Sequence, residues 1–333
     1  MSSTFATGRL SMRIRFALPL VLAVVAACSK PSPKTGESAG NAGGPIVVYT
    51  AASVAIPIRA ALDTFAAREH VTVQQENGGS LDIARKLTEL HQIPDVVVLA
   101  DYDVFPKLLM PNQTTWYAEF ARNRMVLAFT GKSKFASEVD SANWPKILQR
   151  PGVALGRANP DLDPNGYRTL LTLQLAEQYY EQPGLYDKLM KLSPAKNVRP
   201  KEADLVGVLQ AGEFDYIWSY ESLAQATKLR YITLPAAIDL GTPADTAAYA
   251  KASVKVAGKT PRDTLTIKGQ PIVYALSIPK AAPHPDMAEK FVAFLLSPEG
   301  RSLLHATKLD ALDTPVIIGS GAPAAVQAAV SAQ

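Results

Sequence analysis

Apolar and polar positions along the chain follow two periods, and the switches between them outline strands and helices. Ile46-Val47-Val48-Tyr49 is a short apolar run suited to a buried strand, and residues 58–65 repeat apolar side chains at helical spacing. A strand over 71–73, a helix over 81–90 and a strand over 94–99 follow. After the apolar run 125–129 the alternation resumes with a strand over 153–155 and a helix over 167–180. A helix over 202–210, stopped by Gly212, leads into a strand over 214–218, and a last strand over 271–276 precedes an amphipathic helix over 287–296. Strands alternating with helices in this way predict an α/β fold whose mostly parallel sheets are flanked by helices.

The N-terminal pattern is different and is set aside from the fold. Arg9, Arg13 and Arg15 precede an apolar run over 16–27, interrupted by Pro19. That run is too short to span a bilayer but suits a secretory signal. It ends in Val25-Ala26-Ala27-Cys28, and Cys28 is the only cysteine of the chain. Small residues before a lone cysteine predict a lipoprotein signal over 1–28, with the thiol of Cys28 taking the lipid. The body is then anchored to a membrane rather than spanning it. With its thiol acylated, the chain keeps none for redox work or disulfides. Residues 29–45, rich in Ser, Pro, Gly and Lys, read as a flexible tether.

Setting aside the three arginines of the signal leaves 31 of the 34 basic residues against 30 acidic ones. Such a balance argues against nucleic acid as a partner. His70, His91, His284 and His305 are scattered and share no metal-ligand spacing. Gly78 and Gly79 are not followed by the lysine of a nucleotide loop. No histidine falls near a strand end to serve a serine nucleophile, and no G-x-S-x-G turn occurs, so binding without turnover fits better than an enzyme. Asp95 and the Asp101-Tyr102-Asp103 segment, at a strand end, read as capping or hinge residues before cleft-lining ones.

Ligands of open α/β sheets bind beyond the carboxyl ends of strands. Four such junctions carry small polar residues: Thr50 to Ser53, Gly78-Gly79-Ser80, Asp163-Pro164-Asn165-Gly166, and Ser219-Tyr220-Glu221-Ser222. Helix N-termini offer unpaired N–H groups and the positive end of the dipole, and serine hydroxyls add donors without charge, which together suit an anion. The plain alternative is that Ser53, Ser80 and Asp163 are N-caps, which their residue types favour.

Longer stretches carry a resemblance. The segments WYAEFARNRMVLAFT (116–130), GRANPDLDPNGYRTLLTLQLAEQYYEQPGLY (156–186), RPKEADLVGVLQAGEFDYIW (199–218) and GQPIVYALSIPKAAP (269–283) resemble the periplasmic molybdate/tungstate-binding proteins of ABC importers, in particular their longer, tungstate-associated branch. The likeness runs from about Ile46 to Leu304.

The resemblance implies a two-lobed periplasmic-binding-protein clamshell, type II-like, that closes by a hinge around an oxyanion. Lobe 1 would comprise 46–125 and 275–333, and lobe 2 would comprise 126–274. Ser53 and Ser80 would donate from lobe 1, Asn165 through its backbone N–H and Tyr220 from lobe 2. Two carboxylates of the branch reach the metal centre of the oxyanion, and Asp163 matches the first. Where the family has the second, this chain has Ser219, with Glu221 two residues on as a possible substitute. A carboxylate beside a dianion is repulsive unless it binds the metal or accepts a proton. Asp163 therefore disfavours sulfate and leaves phosphate as the alternative ligand. The implied partners are an ABC permease with its ATPase. The implied chain is an extracytoplasmic, lipid-anchored monomer without a cofactor, and a tethered oxyanion sensor is the remaining alternative.

Overall fold

The computed structural model describes residues 44–258 and 263–332. The signal over 1–28, Cys28 and almost all of the tether lie outside these residues. Two separate mixed sheets organise the body. The first has the order β13-β4-β12-β3-β1-β2, built from β1 (Ile46–Ala51), β2 (Val73–Gly78), β3 (Val96–Leu99), β4 (Trp116–Asn123), β12 (Ile272–Ser277) and β13 (Asp310–Gly319). The second has the order β7-β6-β8-β5-β9, from β5 (Met125–Phe129), β6 (Leu155–Ala158), β7 (Val198–Arg199), β8 (Tyr216–Tyr220) and β9 (Arg230–Thr233). A hairpin of β10 (Ser253–Ala257) and β11 (Thr264–Lys268) stands apart from both.

The two sheets share a plan. β1 runs parallel to β2 and β3, and β6 runs parallel to β7 and β8. An antiparallel strand then joins each set, β12 beside β3 and β5 beside β8. The sheets are thus mixed where alternation alone implied mostly parallel neighbours. The antiparallel members flank the passages of the chain between sheets, at Asn123-Arg124-Met125 and in the stretch from β9 to β12. A strand that returns from another lobe arrives without its own crossover helix, so nothing obliges it to run parallel.

Burial explains the element types. All four residues of β3 are buried, as a strand covered by helices on both faces requires. The β10 residues Val254 and Val256 are buried while Ser253 and Lys255 are exposed, the period of a one-sided strand. In the first lobe the helix Ala55–Glu69 meets the helix Pro285–Leu296 through Phe65 and Phe291, whose rings pack edge to face at 5.3 Å. In the second, Trp144 and Trp218 pack the same way at 5.4 Å. Strand ends, and the helix starts that follow them, are left to meet between the lobes.

Candidate functional site

At that meeting place lie three buried hydroxyls. Ser53 follows β1, Ser80 opens the helix Ser80–Thr88, and Tyr220 ends β8. Each accepts a hydrogen bond from the protein. Tyr274 Oη–H donates to Ser53 Oγ at 3.0 Å, the Ala100 N–H to Ser80 Oγ at 2.9 Å, and Arg168 Nη1–H to Tyr220 Oη at 2.8 Å. Among the described residues none of the three donates in return. A hydroxyl whose lone pair is engaged keeps its own hydrogen to offer elsewhere, so all three are poised as donors. Neither serine is an N-cap: Gly79 occupies that position before Ser80, and Ser53 makes no capping bond.

The hydroxyls are tied into one network across the lobes. Arg168, from the helix Pro164–Tyr179, also donates to the Ala100 carbonyl at 2.6 Å, and its Nη2 lies 3.4 Å from Asp101 Oδ2. Tyr167 donates to the same Asp101 oxygen. The Tyr220 ring meets the Tyr274 ring edge to face at 6.1 Å, and Asn123 donates to Tyr274 Oη at 2.9 Å. Burial alone would lower the Arg168 value, but Tyr220, Asp101 and Tyr167 outweigh it and hold it raised, so the guanidinium stays charged. Asp101 thus anchors one lobe to the other as well as capping the Asp103 N–H at 3.0 Å. Asp95 accepts from the Val47 and His284 N–H groups, a capping role.

Two carboxyls sit beside the hydroxyls. Asp163 is the N-cap of the long helix: Oδ1 accepts from the Asn165 N–H at 2.8 Å and Oδ2 from the Glu202 N–H at 3.0 Å. The backbone N–H of Asn165 is therefore engaged by Asp163 in this conformation, while its side-chain Oδ1 is buried without a partner among the described residues. Glu202 opens the helix Glu202–Gln210 and is fully buried. Its Oε1 accepts from Ser219 Oγ–H and from the Tyr220 N–H, both at 2.6 Å, and its Oε2 is buried without a partner among the described residues. Burial pushes Asp163 up to about 6, against the pull of its two backbone donors. Burial, reinforced by Asp163, pushes Glu202 up to about 8.

The structure does not bring Glu221 to this cluster. β8 runs through Tyr220, which is still extended at φ −84° and ψ 146°, and Glu221 then begins the helix Glu221–Ala226. Its carboxylate pairs with Arg124 at 3.0 Å and accepts from Tyr231 at 3.3 Å, on the side where the chain passes between sheets. There it lines a separate surface cavity of about 350 Å³ with Arg122, Arg124, Gln225 and Lys308. Sequence reasoning missed Arg168 and Glu202. Their signal was a charged residue on the buried face of a helix, visible only once that face is known.

Where the cleft opens, the lobes touch. Arg85 of the first lobe donates to the carbonyls of Asp161 at 2.8 Å and Ala257 at 3.0 Å. The backbone of Gly79 lies against that of Leu162.

The raised carboxyls give a stability prediction. The folded chain keeps protons on Asp163 and Glu202 at pH values where the unfolded chain, with ordinary values of 3.8 and 4.5, has released them. The folded state then binds more protons, so their contribution is fullest below the unfolded values and is lost as pH rises through about 6 and about 8. The melting temperature of the ligand-free chain is expected to fall from about pH 5 to about pH 8, and Glu202→Gln to flatten much of that fall. An unchanged slope in the variant would contradict the assignment.

Comparison with known proteins agrees with this architecture. A family model described as bacterial extracellular solute-binding protein matches residues 46–307. An uncharacterized solute-binding protein of Petrotoga mobilis is 41% identical over 273 residues, covering 82% of this chain and 85% of the relative. The molybdate/tungstate-binding protein WtpA of Pyrococcus abyssi is 33% identical over 339 residues, covering 94% of this chain and 96% of the relative. Among solved structures, the sulfate-binding protein SubI of Mycobacterium tuberculosis superposes with a TM-score of 0.58 at 16% identity, over 86% of this chain and 90% of that one. That likeness carries the clamshell fold alone. These relatives are binding proteins, not enzymes, and what the Pyrococcus protein's name gives it is a ligand rather than a cofactor. The chain belongs to the bacterial extracellular solute-binding protein family.

Proposed function

We propose that this chain captures molybdate or tungstate between its lobes and delivers it to an ABC permease. The observation that carries the reading is the set of three buried hydroxyls, two from one lobe and one from the other, each accepting from the protein and donating to none of the described residues. A tetrahedral dianion is an acceptor only, and hydrogen bonds to a charged acceptor are about twice as strong as neutral ones. The Arg168 charge behind Tyr220 reinforces that donor. Asn165 adds to the set: turning its amide would aim N–H donors where Oδ1 now has no partner. Asp163 is compatible with a metal centre able to expand its coordination, or with a protonated phosphate, and disfavours sulfate. Glu221 is assigned to the passage between lobes rather than to the ligand.

Donors divided between two lobes make binding and closure one event. The open form offers half the site, and the anion draws the halves together. The discontinuous first lobe over 46–125 and 275–333, the second over 126–274, and acylation at Cys28 belong to the same proposal. The name of the Pyrococcus relative and the coverage of both chains support the choice of ligand.

Isothermal titration of the purified chain with tungstate, molybdate, phosphate and sulfate tests it. One-to-one binding of the first two is expected, with Ser80→Ala weakening it by roughly tenfold or more, the worth of one charge-assisted bond. Phosphate binding in their place would recast Asp163 as a proton acceptor. No binding at all would leave the fold without this function.

A further inference from the structure

We propose that Glu202 is a specificity-determining residue of the oxyanion site, acting as a protonated carboxyl whose Oε2–H donates to an oxygen of the bound dianion. The inference rests on the oxyanion reading above and deepens it.

The geometry carries it. Glu202 lies at the first turn of a helix that packs against the Ser53 segment of the opposite lobe. Its Oε1 already accepts two hydrogen bonds, from Ser219 Oγ and the Tyr220 N–H, and its own N–H is held by Asp163. That leaves Oε2 as the oxygen able to hold a proton, buried and facing no protein partner among the described residues. An ionised carboxyl there would add a further negative charge beside Asp163 and an incoming dianion. The neutral acid instead supplies a donor, and a dianion offers only acceptors to meet it. The groups that act on it come from every side: Asp163 and Arg168 from the long helix, Tyr220 from β8, Tyr274 from β12, and Asp204 near Asp163 on its own helix. Only Arg168 is positive, and it is committed to Asp101, Ala100 and Tyr220. The raised value of Glu202, about 8, agrees with a neutral acid at neutral pH.

A donor of this kind makes binding consume a proton once the free protein has lost it. Affinity for molybdate or tungstate is then flat near neutrality and falls above about pH 8, approaching tenfold per unit. Molybdate itself has no proton to lose over that range.

The experiment titrates tungstate into wild-type chain and Glu202→Gln from about pH 7 to about pH 9, in two buffers of different ionisation enthalpy so that proton uptake is counted. The glutamine keeps an acceptor for Ser219 and Tyr220 and places an N–H donor where Oε2–H stood. The expected result is near-wild-type affinity at pH 7, within about threefold, with neither the alkaline fall nor the proton uptake. The ligand-free melting curve of the variant controls for folding. An alkaline slope and proton uptake unchanged in Glu202→Gln would overturn the role of Glu202 and leave the oxyanion reading standing. Loss of binding by a folded Glu202→Gln would overturn it too, since an ionised carboxylate would then be what the site needs. Failure of the wild type to bind either anion at pH 7 would overturn the oxyanion reading, and this inference with it.

Discussion

Arg168→Met is expected to destabilise the fold by about 3–5 kcal/mol, the cost of leaving a buried charge without its partner. Arg168 and Asp101 are both within 2% of full burial, so neither can fall back on water. Methionine fills much of the volume, which separates the electrostatic loss from a cavity. What remains is the Asp101 carboxylate with two neutral donors, the Tyr167 hydroxyl and the Asp103 N–H, and the Ala100 carbonyl and Tyr220 hydroxyl without theirs. Arg168→Lys should recover only part of the loss, because one ammonium cannot reproduce a fork that bonds Ala100 and Tyr220 while setting its charge 3.4 Å from Asp101. Chemical unfolding of the ligand-free chain measures it. The double variant Arg168→Met, Asp101→Asn should be less destabilised than the sum of its parts, since the second change removes the charge the first left stranded. A single-variant loss under about 1 kcal/mol would show that Arg168 does not tie the lobes together.

How much of this was legible in the chain depends on the kind of signal. The strands near Val48, Val97 and Tyr274 and the helices near Leu62, Leu87, Leu171 and Phe291 could be read, because an apolar run or a helical stripe is a local property. The four polar junctions could be read for the same reason, and Ser53, Ser80, Asp163 and Tyr220 do lie at strand ends or helix starts. The helix predicted over 167–180 begins earlier, at Pro164, because Asp163 caps it and proline suits the first turn. β4 escaped the pattern reading: Glu119 and Arg122 break its apolar run, although only Arg122 is exposed. The β10–β11 hairpin escaped because five-residue strands that alternate around Lys255 and Lys268 look like loop by composition.

Partnership was not legible at all. Glu202 has the appearance of an ordinary acidic residue in the first turn of a helix, where the dipole favours it. Only the fold shows it buried against Ser219 and Asp163. Glu221 shows the converse. Its carboxylate goes to Arg124 instead of the hydroxyl cluster, although Tyr220 before it is still extended. Side-chain direction at a strand-to-helix junction is set by a single pair of dihedrals, and no sequence period encodes it.

The largest effect on binding is expected from one methyl group at Gly79. Its backbone, φ −71° and ψ 145°, is extended and suits alanine as well as glycine, so Gly79→Ala strains nothing at its own position. The obstacle is across the cleft. A Cβ there would stand 2.0 Å from the carbonyl oxygen of Leu162 and 2.7 Å from its carbon, both backbone atoms that cannot swing aside. Restoring ordinary contact requires the lobes to part by an ångström or more. Hydrogen bonds hold only over about 2.7–3.2 Å, so Ser80 and Tyr220 could not then grip one anion together. Losing two or more charge-assisted bonds weakens binding by roughly a hundredfold. Parting the lobes also stretches the Arg168 tie, so the ligand-free variant should stay folded but lose about 1–3 kcal/mol. Titration with tungstate and small-angle scattering with and without the anion would read the two consequences separately. The variant should bind poorly and fail to contract at anion concentrations that close the wild type. Undiminished affinity would mean that the anion does not need the lobes to meet at Gly79, and closure there would cease to explain capture.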